Sequence, residues 1–419
     1  MTMDTGFILV TGSSVRIGRA VMQRLQARFG NVVGLDRAAP TPPPPGCSAI
    51  AVDIASDQSV RDALGVLREH HGRRIASVVH LAAYYDFLGK PSPKYEQITV
   101  EGTRRLLRGL REHFDVEQFL FSSTMLVHKP GEPGEFIHED WPIEPTWAYP
   151  ASKVRTEALI AEERGDIATV ILRLAGVYDD TCHSPPLAHQ MQRIYEGQMA
   201  AHLYSGEVSH GQAYLHLDDA VDAIERAVER RALLPVGTAL LIGEPETLSY
   251  DELQHTFMRL LNKKSSETHS VPGLLAKVGA WVQNLLPGDQ FIKPWMIDRA
   301  NDHYALDITR ARTLLDWEPA HTLRQSLPKM AAALEADPIG WYREHGLEPP
   351  ASLRKAIERE RLASVAGATP EPTEASPASS DAATHACPMH PEDPQHSAGN
   401  CPRCGLALEP CHPQEPGHA

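Results

Sequence analysis

The sequence predicts an α/β fold, in which a doubly wound parallel sheet is followed by a smaller helical lobe and then by a short tail module. Three observations carry that expectation. Short runs that are apolar throughout recur along the first 180 residues, as strands buried on both faces of a parallel sheet do. Stretches with helical spacing of apolar residues lie between them. Four of the six cysteines, Cys387, Cys401, Cys404 and Cys411, fall near the C-terminus. A segment over 366–383 precedes them, built of Ala, Pro, Ser, Thr, Glu, Asp and Gly, and it cannot bury enough apolar surface to offset its ordering entropy.

The elements follow in order. Phe7-Ile8-Leu9-Val10 is a strand ending in Thr11-Gly12; Ile17, Ala20, Val21 and Leu25 mark a helix; Val32-Val33-Gly34-Leu35 is the next strand. Strands over 49–52, 76–81 and 118–122 alternate with a helix through Val60, Leu64 and Leu67 and another over 100–113. A helix holding Tyr149 and Lys153 precedes a strand over 169–174. Helices near 186–197, 218–231, 250–262 and 271–285, with a strand signal at 239–242, predict the helical lobe over 181–345. Lys277 is the only basic residue of the apolar segment 274–286, so that segment reads as a pocket wall or core helix rather than a membrane-surface one. Residues 351–363 are charged and helical in propensity, within a linker over 346–383; the module spans 384–411 and the tail 412–419.

Composition narrows the function. The 419 residues are 42% apolar and 22% charged, and the formal charge of −14 gives no general attraction for nucleic acid or anionic lipid. No apolar run approaches the ~20 residues that span a bilayer, and residues 1–6 lack the pattern of a signal peptide. A cytoplasmic protein acting on a small molecule is the expectation, with a homodimer left as an option.

Thr11-Gly12-Ser13-Ser14-Val15-Arg16-Ile17-Gly18 lies between the first strand and the first helix. There a dinucleotide pyrophosphate meets free backbone N–H groups and the positive end of the helix dipole. Gly12 and Gly18 serve the turn and the helix packing, Ser14, Arg16 and Ile17 line it, and Asp36 closes the second strand at the spacing where a carboxylate accepts from the ribose hydroxyls. That carboxylate favours NAD over NADP, a preference weakened by Arg16 and Arg37. Asp53-Ile54 after the third strand and His80-Leu81-Ala82-Ala83 after the fourth add the contacts a nucleotide lying across strand ends requires.

Tyr149 and Lys153 stand at i and i+4 on one helix face. A cation beside a phenol is expected to lower its pKa towards working pH, as a proton donor and acceptor in hydride transfer needs. Thr124, ending the strand that bears Ser122 and Ser123, offers a hydroxyl to the substrate oxygen. Tyr84, Tyr85 and Phe87 are candidates for a substrate wall or for packing; His183, His189, His202 and His210 are too irregularly spaced to point to a metal.

With these motifs the chain resembles the extended short-chain dehydrogenase/reductases, the NAD-dependent epimerase/dehydratase group, over roughly residues 5–345. The resemblance rests on the glycine loop, Asp36, Asp53, His80 to Ala83, Phe121 to Thr124, Tyr149 to Lys153, Arg173 to Tyr178 and His216-Leu217-Asp218-Asp219. Ala305 to Arg312 and Leu315 to Pro319 look like the family's C-terminal signature. It implies a Rossmann-type fold, Tyr149 as acid/base, Lys153 as its tuner and a ligand of the nicotinamide ribose, and Thr124 in the place of the catalytic Ser or Thr. Val15 replaces the middle glycine, Thr99 the usual Asn of a proton relay, and Gln212 an Arg of nucleotide-sugar enzymes, which argues against a UDP-sugar.

The tail carries Cys387-Pro388-Met389-His390 and, ten residues on, Cys401-Pro402-Arg403-Cys404. Paired ligands at that spacing suit zinc or, with soft thiolates, copper(I); Cys387, His390, Cys401 and Cys404 are the expected set. The tail is similar to the heavy-metal-binding domain of bacterial metal-efflux proteins, departing at Leu406, where that family has Met. Two functions follow as expectations: an NAD-dependent oxidoreductase or epimerase/dehydratase with a tethered metal module, or a non-catalytic NAD-binding redox or metal sensor.

Overall fold

The computed structural model describes residues 6–38, 42–86, 89–263, 269–270, 297, 299–351, 353–355, 385–387, 390–395 and 409–410. Two compact units divide the chain, one over residues 1–350 and one over 351–419.

The first unit is built on the alternation that the apolar runs predict. Strand β1 (Phe7–Thr11) leads into helix α1 (Arg16–Phe29), followed by β2 (Val32–Asp36), β3 (Ser48–Ala51), α2 (Asp57–His71) and β4 (Arg74–His80). A π-helical turn, Tyr95–Val100, opens α3 (Glu101–His113); then come β5 (Asp115–Val116), β6 (Gln118–Thr124), α4 (Ala148–Glu163) and β7 (Ala168–Leu174). The central sheet runs β11 (Thr238–Ile242), β7, β6, β4, β1, β2, β3, with β5 beside β4, and its pairs are parallel. The order reverses between β1 and β4, so the loops at those strand ends diverge and leave a crevice, where doubly wound sheets hold their ligands.

Both faces are covered, which is why the inner strands are apolar without alternation. On one face α1 packs with α6 (Leu217–Glu229) through Val21, Met22, Leu25, Ala220 and Ile224. On the other, α2, α3 and α4 bury Leu64, Leu67, Leu106, Leu110 and Leu159. The strand signal at 239–242 is β11 (Thr238–Ile242), and it pairs with β7, extending the central sheet. It is an edge strand, and the Glu139 carboxylate accepts from its Leu241 N–H at 2.9 Å.

The remaining elements complete the first unit. They are β8 (Gly176–Tyr178), α5 (Pro185–Tyr195), β9 (Leu203–Tyr204), β10 (Tyr214–His216), α7 (Tyr250–Leu260), β12 (His269–Ser270), α8 (Thr309–Leu315), α9 (Leu323–Ala336) and α10 (Pro338–Glu344). β8 pairs with β10 and β9 with β12, both in parallel. The Ser249 capping box starts α7, satisfying two backbone donors reciprocally. The helix expected over 271–285 lies outside the described residues, as do Phe87 and the linker over 366–383. Among the described residues no helix is long and apolar enough to cross a membrane.

In the second unit, β13 (His385–Cys387) pairs antiparallel with β14 (His390–Gln395) and with β15 (Glu409–Pro410). Cys387 and His390 are register partners in the β13–β14 pairing. Cys401 and Cys404 lie outside the described residues.

Candidate active site

The crevice at the β1 and β4 ends is shaped by the glycine loop. Gly12 holds φ +71°, and a Cβ there would come within 3.0 Å of the Ala82 nitrogen; a Cβ on Gly18 would lie 2.0 Å from the Gly12 carbonyl oxygen. The loop and the first turn of α1 are therefore locked together without side chains, and Val15, the N-cap, provides no side-chain cap. Helix N–H groups left uncapped by the protein are the donors a pyrophosphate takes. Asp36 accepts from Ser14 N–H at 2.9 Å and from Arg37 N–H at 2.7 Å. Each carboxylate oxygen keeps a second lone pair for a ribose hydroxyl. These features fit a dinucleotide.

Beneath the loop lies a buried chain of hydroxyls. Ala82 N–H donates to Thr11 Oγ1 at 3.2 Å, and Thr11 lies 2.7 Å from His80 Nδ1. His80 Nε2 is 2.8 Å from Thr103 Oγ1, which donates to the Thr99 carbonyl at 2.6 Å. Because the Thr103 proton is committed, Nε2 carries the imidazole proton and Nδ1 accepts from Thr11. Burial, reinforced by the Lys153 charge, pushes His80 down to about 3, so the ring is a neutral spacer that fixes the Leu81–Ala82 backbone. Thr99 Oγ1 accepts from Tyr84 N–H at 3.0 Å, anchoring the loop after β4 to the π-helical turn. Asp53 is exposed and accepts from Ala55 N–H at 2.9 Å; Ile54 is buried.

The helix α4 brings Tyr149 and Lys153 to the end of β6. The Lys153 ammonium donates to the Ser122 carbonyl at 2.7 Å and lies 4.7 Å from the Phe121 ring centre and 5.8 Å from that of Tyr149. Thr124 stands beside Tyr149 and favours its phenolate, and the Tyr149 ring meets those of Tyr85 at 4.9 Å and Trp147 at 5.4 Å. The expected lowering of the phenol by Lys153 is not found. Burial raises Tyr149 above its ordinary value, next to which Thr124 is a smaller opposing effect. Burial also lowers Lys153 to about 7, partly offset by Glu157 one turn along the helix. Desolvation acts on both partners and outweighs their mutual interaction.

Several partners were not legible in the motifs. Glu157 pairs with Arg173 at 2.7 Å and accepts from Ser123, and Arg173 also donates to the Glu139 carbonyl at 2.9 Å. Arg16 turns to Asp179, at 3.1 Å, and to His183. Tyr178 donates to the buried Glu244 at 2.7 Å. Among the described residues, His216, Asp218 and His321 are the one group of three that could hold a metal, with ligand atoms within 4.8 Å of one another.

The model of the NAD dependent epimerase/dehydratase family matches residues 8–243. The chain belongs to that family. A relative, dTDP-6-deoxy-L-talose 4-dehydrogenase (NAD(P)(+)) of Kitasatospora kifunensis, is 25% identical over 342 residues, covering 79% of this chain and 96% of that protein. The fold matches UDP-glucose 4-epimerase of Thermotoga maritima with a TM-score of 0.58, at 20% identity over 78% of this chain and 98% of that one. It also matches dTDP-glucose 4,6-dehydratase of Bacillus anthracis in complex with NAD, with a TM-score of 0.60 at 18% identity over 81% and 99% of the two chains. In family terms the chain is an NAD-dependent enzyme with a Rossmann-type sheet.

Proposed function

We propose that the enzyme moves a hydride between NAD and a carbinol or carbonyl carbon of a nucleotide-linked sugar, with Tyr149 as acid/base. The observation that carries this is the placement of Tyr149 and Lys153 on one face of α4 at the end of β6, with the ammonium 5.8 Å from the phenol ring centre and 2.7 Å from the Ser122 carbonyl. The nicotinamide, when bound, supplies the hydride acceptor and donor. Gly12, Ser14, Ile17 and Gly18 cradle the pyrophosphate, Asp36 takes the adenosine ribose, Asp53 and Ile54 border the adenine, and Leu81, Ala82, Ala83 and Ser122 form the floor towards the nicotinamide. Thr124 orients the substrate oxygen while the Tyr149 phenol gives up or takes its proton. Lys153 holds the nicotinamide ribose and places positive charge near the phenol. The raised phenol pKa of the ligand-free protein makes Tyr149 a proton donor at rest, which is the state that carbonyl reduction requires.

The sugar assignment is supported by the relatives, whose names specify dTDP- and UDP-linked sugars. The test is absorbance at the NADH band together with product analysis by mass spectrometry and NMR, with dTDP- and UDP-hexoses, their 6-deoxy forms and their 4-keto forms; the absence of both an absorbance change and a new product with every one of them overturns the reading.

We also propose that the second unit binds zinc or copper(I) through Cys387, His390, Cys401 and Cys404. Support comes from the ligand spacing and from the hairpin that pairs Cys387 with His390.

A further inference from the structure

Arg16 is the first residue of α1, directly after the glycine loop, and half of its side chain is exposed. A cavity of about 270 Å³ lies between Val15, Arg16 and Ile17 on the loop side and Val177 of β8 with Asp179 and His183 just after it. The Arg16 guanidinium lines it and bridges its two sides, donating to Asp179 Oδ2 at 3.1 Å and to His183 Nε2. A guanidinium only donates, so Nε2 is the acceptor and Nδ1 carries the ring proton, which reaches Asp179 at 3.0 Å. The three side chains form a closed triangle.

Its two halves differ in rigidity. Asp179 Oδ1 accepts from Thr181 N–H at 3.0 Å, Thr181 Oγ1 at 2.8 Å and His183 N–H at 3.0 Å. The His183 ring stacks on His345 at 4.6 Å, and His345 on Trp341 at 4.1 Å, whose indole N–H returns to the Thr181 carbonyl. The acceptor side is thus a braced post, and Arg16 is the movable arm. An isolated carboxylate facing a pyrophosphate site would repel the ligand; paired with Arg16 it does not.

We infer that Arg16, Asp179 and His183 are a clasp that shuts over the pyrophosphate end of the cleft and slows nucleotide release. This rests on the dinucleotide reading of the loop. The rival arrangement, in which Arg16 leaves Asp179 to grip the phosphates itself, makes the opposite kinetic prediction, since removing the carboxylate would then free the arm and slow release.

The test is stopped-flow displacement of NADH, followed by its fluorescence, from the full chain and from Asp179→Asn and Arg16→Gln. The clasp requires release about tenfold faster or more in both variants, the scale of one lost charge-assisted hydrogen bond. It also requires that raising salt speed release from the unaltered protein and leave Asp179→Asn unchanged. Normal NADH binding with an unchanged or slower release in Asp179→Asn overturns the clasp alone. Absence of NADH binding by the unaltered protein overturns the cofactor assignment and the clasp with it.

Discussion

Lys153 reaches across from α4 to the carbonyl of Ser122, 2.7 Å away, and is all but sealed from solvent there. Its proton is therefore held at a desolvation cost, and its pKa falls from 10.5 to about 7. Below pH 7 folded and unfolded states both carry that proton and the cost is felt in full. Between about 7 and 10.5 the unfolded chain binds more protons, so this residue's contribution to stability rises with pH. Denaturant melts of ligand-free protein and of Lys153→Met across pH 6–10 should diverge over that window, by at most about 1.4 kcal/mol per pH unit. Parallel pH dependences would show that Lys153 titrates normally.

Tyr149→Phe keeps the ring contacts with Tyr85 and Trp147 and loses only the phenolic hydroxyl. Turnover on a substrate that moves the NADH band should fall by about 10²–10⁴-fold, with NADH affinity by fluorescence titration unaltered. Wild-type rates in the variant would remove Tyr149 from the chemistry.

Asp36→Ala deletes the acceptor for Ser14 N–H together with the acceptor proposed for the ribose. Affinity for NAD should drop while that for NADP holds or rises, as the repulsion of a 2′-phosphate disappears. Titrating both nucleotides against both proteins measures the ratio; tighter NADP binding by the unaltered protein would reverse the assignment.

For the second unit, elemental analysis of reduced, metal-supplemented full-length protein should find one zinc or copper per chain, and Cys401→Ser/Cys404→Ser should lose it. Deleting residues 366–419 should leave NADH binding unchanged. A metal content that the double variant retains would place the ion elsewhere, with His216, Asp218 and His321 the first group to examine.

What could be read from the sequence follows from the range over which each signal acts. Strands such as Phe7–Thr11 and Ala168–Leu174 are buried on both faces, and that leaves a continuous apolar run. The neighbour of β11 was not written in its five residues, because pairing with β7 depends on where the intervening chain returns. The three-residue strands β8 and β10 are too short to show a period. At the site, the Tyr149–Lys153 spacing was local and visible. The direction of the Tyr149 shift was not, since it is set by burial, which depends on packing from distant parts of the chain. Arg16 and Asp179 are 163 positions apart, and no periodicity joins them.

The Glu139 side chain, bound to the outer rim of the central sheet at Leu241, bears on solubility. A parallel sheet ends in backbone groups that any extended segment can zip onto. Here a buried carboxylate, itself 3.5 Å from Arg310, occupies one rung of that ladder. A second chain approaching this rim must first evict an anion from its partner, so the protein guards against sticking to itself with a side chain rather than with another strand.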